Sequence, residues 1–217
     1  MNIKSILLLS TLISANYTFG QTLEKMNWFN EPSDWNISEG TMSMFVTPQS
    51  DYWRISHYGF TVDDAPFYHA EYGGEFEAKV KIKGDYKVRF DQAGLMLRID
   101  HENYIKTGSE FVDGKYNLST VVSHHTSDWS VISLDKPVEY IWIKAVRRLD
   151  AVEIFYSFDD KEYHMMRNAW MAANCPMKIG MYAACPDGDG FNVTFSNFTV
   201  KHLPDMVRTK WLEQNKE

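Results

Sequence analysis

Apolar side chains recur at every second position along most of this chain. Phe76, Ala78, Val80 and Ile82 alternate with Glu77, Lys79 and Lys81. Ala93, Leu95, Leu97 and Ile99 alternate with Gln92, Gly94, Met96 and Arg98, and Ile141, Ile143 and Ala145 with Tyr140, Trp142 and Lys144. The same period of two runs through Val152, Ile154 and Tyr156, and through Phe191, Val193 and Phe195. Such alternation predicts strands with one face on a core. Turn residues punctuate the runs at Gly73-Gly74, Gly84-Asp85, Asp159-Asp160 and Asp187-Gly188-Asp189-Gly190. Val112-Asp113-Gly114-Lys115, set between apolar stretches, predicts a tight hairpin. No internal stretch sustains a helical period. The pattern predicts an all-β chain, a sandwich or jelly roll of antiparallel sheets.

The two ends fall outside this pattern. Lys4 precedes Ile6-Leu7-Leu8-Leu9, and Leu12-Ile13 follow after a polar pair. A positive start and a short apolar run predict a secretory signal peptide over residues 1–20, with cleavage after Gly20. The run is shorter than the ~20 residues a membrane span requires, so no span is expected once the leader is removed. The expected localisation is secreted or periplasmic. The β-sandwich domain is then expected over residues 21–202. Residues 203–217 are charged, with Met206, Val207, Trp211 and Leu212 at roughly helical spacing, and predict a short helix or tail. Cys175 and Cys185 both survive cleavage, and an oxidising compartment invites a disulfide. Residues 178–184 read as a strand, however, and a straight strand of ten residues holds its ends about 30 Å apart. A bridge needs Cα atoms within ~7 Å.

Composition narrows the partners. The formal charge is −7, and loss of Lys4 makes the remainder one unit more negative. Nucleic-acid binders carry clustered Lys and Arg, so nucleic acid is not expected as a partner. Aromatic residues make up 15% of the chain, enough to supply ring-stacking surfaces as well as core.

Several segments share one pattern of family motifs. Asp91-Gln92-Ala93-Gly94-Leu95-Met96-Leu97-Arg98 is followed by Asn103-Tyr104-Ile105-Lys106-Thr107-Gly108 and Glu110. With them go Trp28-Phe29-Asn30-Glu31-Pro32, Asp51-Tyr52-Trp53-Arg54, His57-Tyr58-Gly59 and Asp128-Trp129-Ser130. These resemble the concanavalin-A-like family catalogued as domain of unknown function 1349, which includes a fungal regulator-of-enolase protein. The resemblance runs from about Trp28 to Val200. It implies a concanavalin-A-like jelly-roll β-sandwich of two antiparallel sheets, similar to modules attached to glycoside hydrolases, and it supplies no catalytic residues. The enolase-related description concerns intracellular proteins, and the leader sets this chain apart from them.

The candidate site follows from strand parity. Ala93, Leu95 and Leu97 take the core, so Gln92, Met96 and Arg98 point out of the sandwich. If the next strand pairs alongside, Lys106 and Glu110 share that face. Paired opposite charges also stabilise an ordinary solvent-facing sheet, by about 0.2–1 kcal/mol per pair. Arg54 and His57 lie in a segment rich in Tyr and Trp, and Trp129 lies in a polar, loop-like context. Sugars offer flat C–H faces to rings and hydroxyls to Arg, Gln, Asp and Glu. Arg54, Gln92, Arg98, Lys106 and Trp129, with Glu110 and His57, are therefore the expected glycan site on the concave sheet face. On that reading Arg98 and Glu110 can both be replaced by Ala with melting nearly unchanged.

Two alternatives stand beside a binding role. The first is a glycoside hydrolase or lyase using Glu110 and His57. A glycosidase needs two carboxyls about 5–5.5 or 6.5–9.5 Å apart, and spacing alone does not choose a second among Asp91, Asp128 and Glu71. The Glu-x-Asp-x-x-Glu strand motif of laminarinase-like hydrolases is absent. The second is a non-catalytic protein-interaction module with an exposed apolar patch. No cofactor or metal is expected, with calcium held by oxygen ligands of the turn at residues 187–190 as the one alternative. Adjacent His124 and His125 face opposite ways on a strand, and Asp187-Gly188-Asp189-Gly190 lacks the further ligands of a calcium loop.

Overall fold

The computed structural model describes residues 23–204, so the expected leader over residues 1–20 and the tail beyond Pro204 lie outside the described residues. Two seven-stranded antiparallel sheets pack face to face, the concanavalin-A-like architecture. The first runs in spatial order β1 (Asn27–Phe29), β6 (Phe67–Tyr72), β15 (Met177–Ala184), β8 (Gln92–Arg98), β9 (Asn103–Val112), β10 (Lys115–His124) and β11 (Thr126–Ser133). The second runs β14 (His164–Trp170), β13 (Ala151–Ser157), β12 (Ile141–Arg148), β7 (Phe76–Gly84), β16 (Asn192–His202), β3 (Thr41–Phe45) and β2 (Trp35–Ser38). A separate hairpin, β4 (Tyr52–Arg54) and β5 (Thr61–Asp63), belongs to neither.

The alternating residues fill the space between the sheets. Ala93, Leu95, Leu97, Ile105 and Ile179 from the first meet Val80, Ile82, Ile143, Val193 and Phe195 from the second. Each large side chain buried in this way stabilises the fold by about 1.5–3 kcal/mol. The β9–β10 hairpin turns on Asp113 and Gly114, both at positive φ (52° and 77°), which is the type I′ geometry that right-twisted strands prefer. In β16 the parity breaks. Asn197 takes a left-handed conformation (φ 54°), the pairing with β7 shifts between Ser196 and Thr199, and Phe198 and Val200 face the core in place of the next odd residues. One bulged residue thus re-aims the end of the strand. Cys175 and Cys185 are free thiols flanking β15.

A second apolar cluster lies on the other face of the first sheet. Tyr52 and Trp53 from the hairpin pack with Ala65, Phe67, Met96, Tyr104, Val121 and Tyr182. The face expected to carry solvent-exposed charges is therefore largely roofed. The cause is the hairpin, whose three-residue strands were too short for a period of two to reveal.

His69, on this roofed face of β6, is 8% exposed, and its Nδ1 has no hydrogen-bond partner among the described residues. Burial, then the nearby Lys178, push its pKa down to about 4; Glu71 opposes and Arg98 adds to the shift. Protonation therefore favours the unfolded chain. Stability is whole above pH 6.5 and falls as pH drops from there toward 4, by at most about 1.4 kcal/mol per unit. A His69→Gln variant is expected to lose about 1–2 kcal/mol less than the parent over that interval. Urea midpoints of both proteins at the two ends of the interval check this, and parallel losses would refute it.

Candidate functional site

Register brings the site together. On the outer face of the first sheet, Gln92 lies directly across from Glu110, and Met96 from Lys106. Val121 on β10 lies between Lys106 on β9 and Trp129 on β11. Trp129 is therefore a strand residue on an edge strand, and not part of a loop. Gln92, Lys106, Glu110, Val121 and Trp129 form the floor of a cavity of about 290 Å³. Asp51, Trp53, Tyr58 and Phe60 wall one side, while Arg89, Phe90, Pro186 and Asp187 wall the other.

The polar groups of the floor are held in place. Trp129 Nε1 donates to Glu110 Oε2 at 2.9 Å and to Ser119 Oγ at 3.1 Å. Lys106 Nζ donates to Asp51 Oδ1 at 2.8 Å. Gln92 Nε2 donates to the Phe90 carbonyl, and its Oε1 accepts from Tyr182. Burial raises the Glu110 pKa above the ordinary carboxylate value. Lys106 and the hydrogen bonds from Ser119 and Trp129 oppose the rise, and Asp51 adds to it. The result is a buried carboxyl that accepts hydrogen bonds and takes a proton more readily than a free Glu.

Aromatic rings surround these groups. Phe90 meets Trp129 edge to face at 6.2 Å, and Trp53 meets Tyr58 likewise at 5.7 Å. Tyr58 and Phe60 stack at 5.7 Å with 25° between planes. Phe90 sits at φ 69° and Ile55 at φ 61°. Positive φ is costly for such bulky residues, so the surrounding packing holds both segments in place.

Of the seven residues expected from the sequence, Gln92, Lys106, Glu110 and Trp129 line the cavity, and three do not. Arg98 is buried beneath the hairpin, where its guanidinium forms a two-pronged ion pair with Asp63 at 2.5 and 2.7 Å. Arg54 reaches Glu102 at 2.9 Å and the His125 carbonyl at 3.0 Å. Both arginines fasten the hairpin to the sheet, so the expectation that Arg98→Ala leaves melting unchanged is corrected. His57 is exposed on the hairpin turn, edge-on to Tyr58, so the cavity lining does not bring it together with Glu110. Asp51, Trp53, Tyr58, Phe60, Arg89, Phe90, Val121, Pro186 and Asp187 complete the site. Of these, Tyr58 had the polar-aromatic setting of its segment as a signal, and Asp187 only its turn motif. Among the described residues no three His, Cys, Asp or Glu side chains gather as a metal site, and no helix is long and apolar enough to cross a membrane.

Fold and cavity together define a β-sandwich with one outer sheet face roofed by a hairpin and a small pocket left beside it. The chain belongs to the family described as protein of unknown function (DUF1349), whose model matches residues 28–203. It is 32% identical over 178 residues to "Regulation of enolase protein 1" of Saccharomyces cerevisiae, covering 82% of this chain and 90% of that one. A crystal structure of a functionally unknown S. cerevisiae protein superposes with a TM-score of 0.80 at 31% identity, covering 83% of this chain and 98% of the other. The fold also matches "Bacteroides ovatus Xyloglucan PUL GH43B", with a TM-score of 0.66 at 16% identity; 93% of this chain aligns with 41% of that longer protein.

Proposed function

We propose that this chain is an exported sugar-binding protein, and that the cavity beside the hairpin holds the sugar. The observation that carries the reading is the convergence, in one small cavity, of five aromatic side chains with a buried carboxyl, an amide and an ammonium group. Small-ligand sites combine apolar walls with a few fixed polar groups in just this manner. Trp129 offers a ring face while its Nε1 is tied to Glu110, so the platform is already oriented before a ligand arrives. Fixing such groups in advance lowers the entropy cost of binding. The recurrence of this sandwich alongside a glycoside hydrolase supports the reading by fold analogy. Export is supported by Lys4 and the Ile6–Leu9 run.

Calorimetric titration with xylo-, cello-, manno- and arabino-oligosaccharides tests the proposal. At least one series is expected to bind. Trp129→Ala is expected to weaken that binding by about 2 kcal/mol, some thirtyfold. Glu110→Gln keeps the shape and removes a carboxyl that is costly to bury, so affinity falls while melting stays level or rises. No binding in any series, or equal affinity in both variants, refutes the site.

A further inference from the structure

We propose that the cavity takes a neutral glycan end-on, admitting a chain terminus or a short side branch, and that the β4–β5 hairpin excludes internal segments of a polymer. This rests on the sugar-binding reading above and adds the class of ligand to it.

A sheet face that binds the middle of a long glycan must be open along its length. Here the middle of the face is filled. Tyr52, Phe67, Tyr104 and Tyr182 occupy it, each no more than 1% exposed. The hairpin is fastened at three places: Asp51 to Lys106, Asp63 to Arg98, and Arg54 to Glu102. The backbone N–H of Arg54 also donates to Ser127 Oγ on β11 at 3.0 Å, so the roof reaches the edge strand. What remains is bounded by the hairpin on one flank and by Phe90 and Asp187 on the other. Its volume lies at the bottom of the ~300–1,000 Å³ range of small-ligand sites, too little for several sugar rings.

The rim offers one further place. Tyr58 and Phe60 are about half exposed, nearly parallel, and continuous with the cavity wall. A second ring leaving the cavity meets this shelf. The charge of the cavity selects against acids. The inward ammonium of Lys106 is already held by Asp51, while Glu110 faces the same space. Arg89 on the far wall is turned half to solvent and lies 3.8 Å from Asp113. A uronic acid entering the cavity therefore sets its carboxylate among those of Asp51, Glu110 and Asp187, with Arg89 the one cation not held by a cavity carboxylate.

Titration of the purified chain with xylose and cellobiose-type oligomers up to the hexasaccharide, with polymeric xylan and with oligogalacturonate, tests the proposal. Affinity is expected to rise about tenfold from one unit to two and then stay within about twofold. Polymeric xylan is expected to bind in proportion to its chain ends. The Tyr58→Ala/Phe60→Ala variant is expected to bring the ratio of disaccharide to monosaccharide affinity to about one. Affinity that keeps climbing beyond three units, several proteins bound along each polymer, or tightest binding to oligogalacturonate overturns the end-on proposal while leaving sugar binding intact. Absence of binding to every probe instead overturns the sugar-binding reading itself.

Discussion

An Asp63→Asn variant is expected to lose about 3 kcal/mol of folding stability, although the substitution changes a single atom type near the surface. Arg98 is 5% exposed and lies against the rings of Phe29 (4.8 Å) and Tyr52 (5.6 Å). Its charge is tolerable there because both prongs of the guanidinium meet the Asp63 carboxylate. An amide leaves that charge buried and uncompensated, a loss measured at about 3–5 kcal/mol in fully buried pairs. The Asp63 side chain retains 28% exposure, which places the effect at the lower end. Adding Arg98→Met, which removes the stranded charge and keeps the apolar stem, is expected to restore much of the loss. Urea denaturation of the single and double variants decides the matter. An Asp63→Asn midpoint equal to the parent's shows that the pair does not fasten the hairpin. Sugar affinity is expected to fall with stability, since Trp53, Tyr58 and Phe60 ride on the same hairpin.

Gly94→Ala is expected to be at least as damaging, for a reason of geometry alone. Gly94 pairs with Gly108 on β9 and with Tyr182 on β15. A Cβ at Gly94 falls closer than 3.0 Å to the Thr107 carbonyl, and backbone in the middle of a sheet cannot step aside as a side-chain tip can. Gly108 meets the Ala93 carbonyl and Gly180 the Tyr68 carbonyl in the same way. Overpacking of this kind costs about 1–3 kcal/mol even where side chains can adjust. Here two central strands must separate, so Gly94→Ala is expected to lose about 3 kcal/mol or to fail to fold. Gly73→Ala is the control, because nothing lies within 4 Å of its added methyl. If the two variants melt alike, the close approach of β8 and β9 has no energetic weight.

The sandwich was legible because its strands are long. Seven to nine residues of alternation in β7, β8 and β12 give a period of two room to repeat, and the parity of β8 and β9 set Gln92, Lys106 and Glu110 on one outward face. The hairpin was not legible, since three residues of β4 contain no measurable period. Its roofing role follows only when Tyr52 and Met96 are seen in one buried cluster. Charge balance held a usable signal. Arg98 and Lys106 share a face that proves to be buried, and each requires a carboxylate close by, which Asp63 and Asp51 on either side of the aromatic segment provide. The cavity itself was half legible. Its floor obeys strand parity, whereas Phe90, Pro186 and Asp187 arrive from connections whose course no local pattern specifies.

The two apolar clusters share one sheet, and β8 serves both. Ala93, Leu95 and Leu97 face the sandwich, while Gly94 and Met96 face the hairpin. In most half-solvated strands a slip of one residue is penalised only on the buried side. In β8 the same slip drives Arg98 into the sandwich, crowds leucines under the hairpin and pulls Gly94 out of its only tolerable place. Alignment of the strand is therefore proofread from both faces at once.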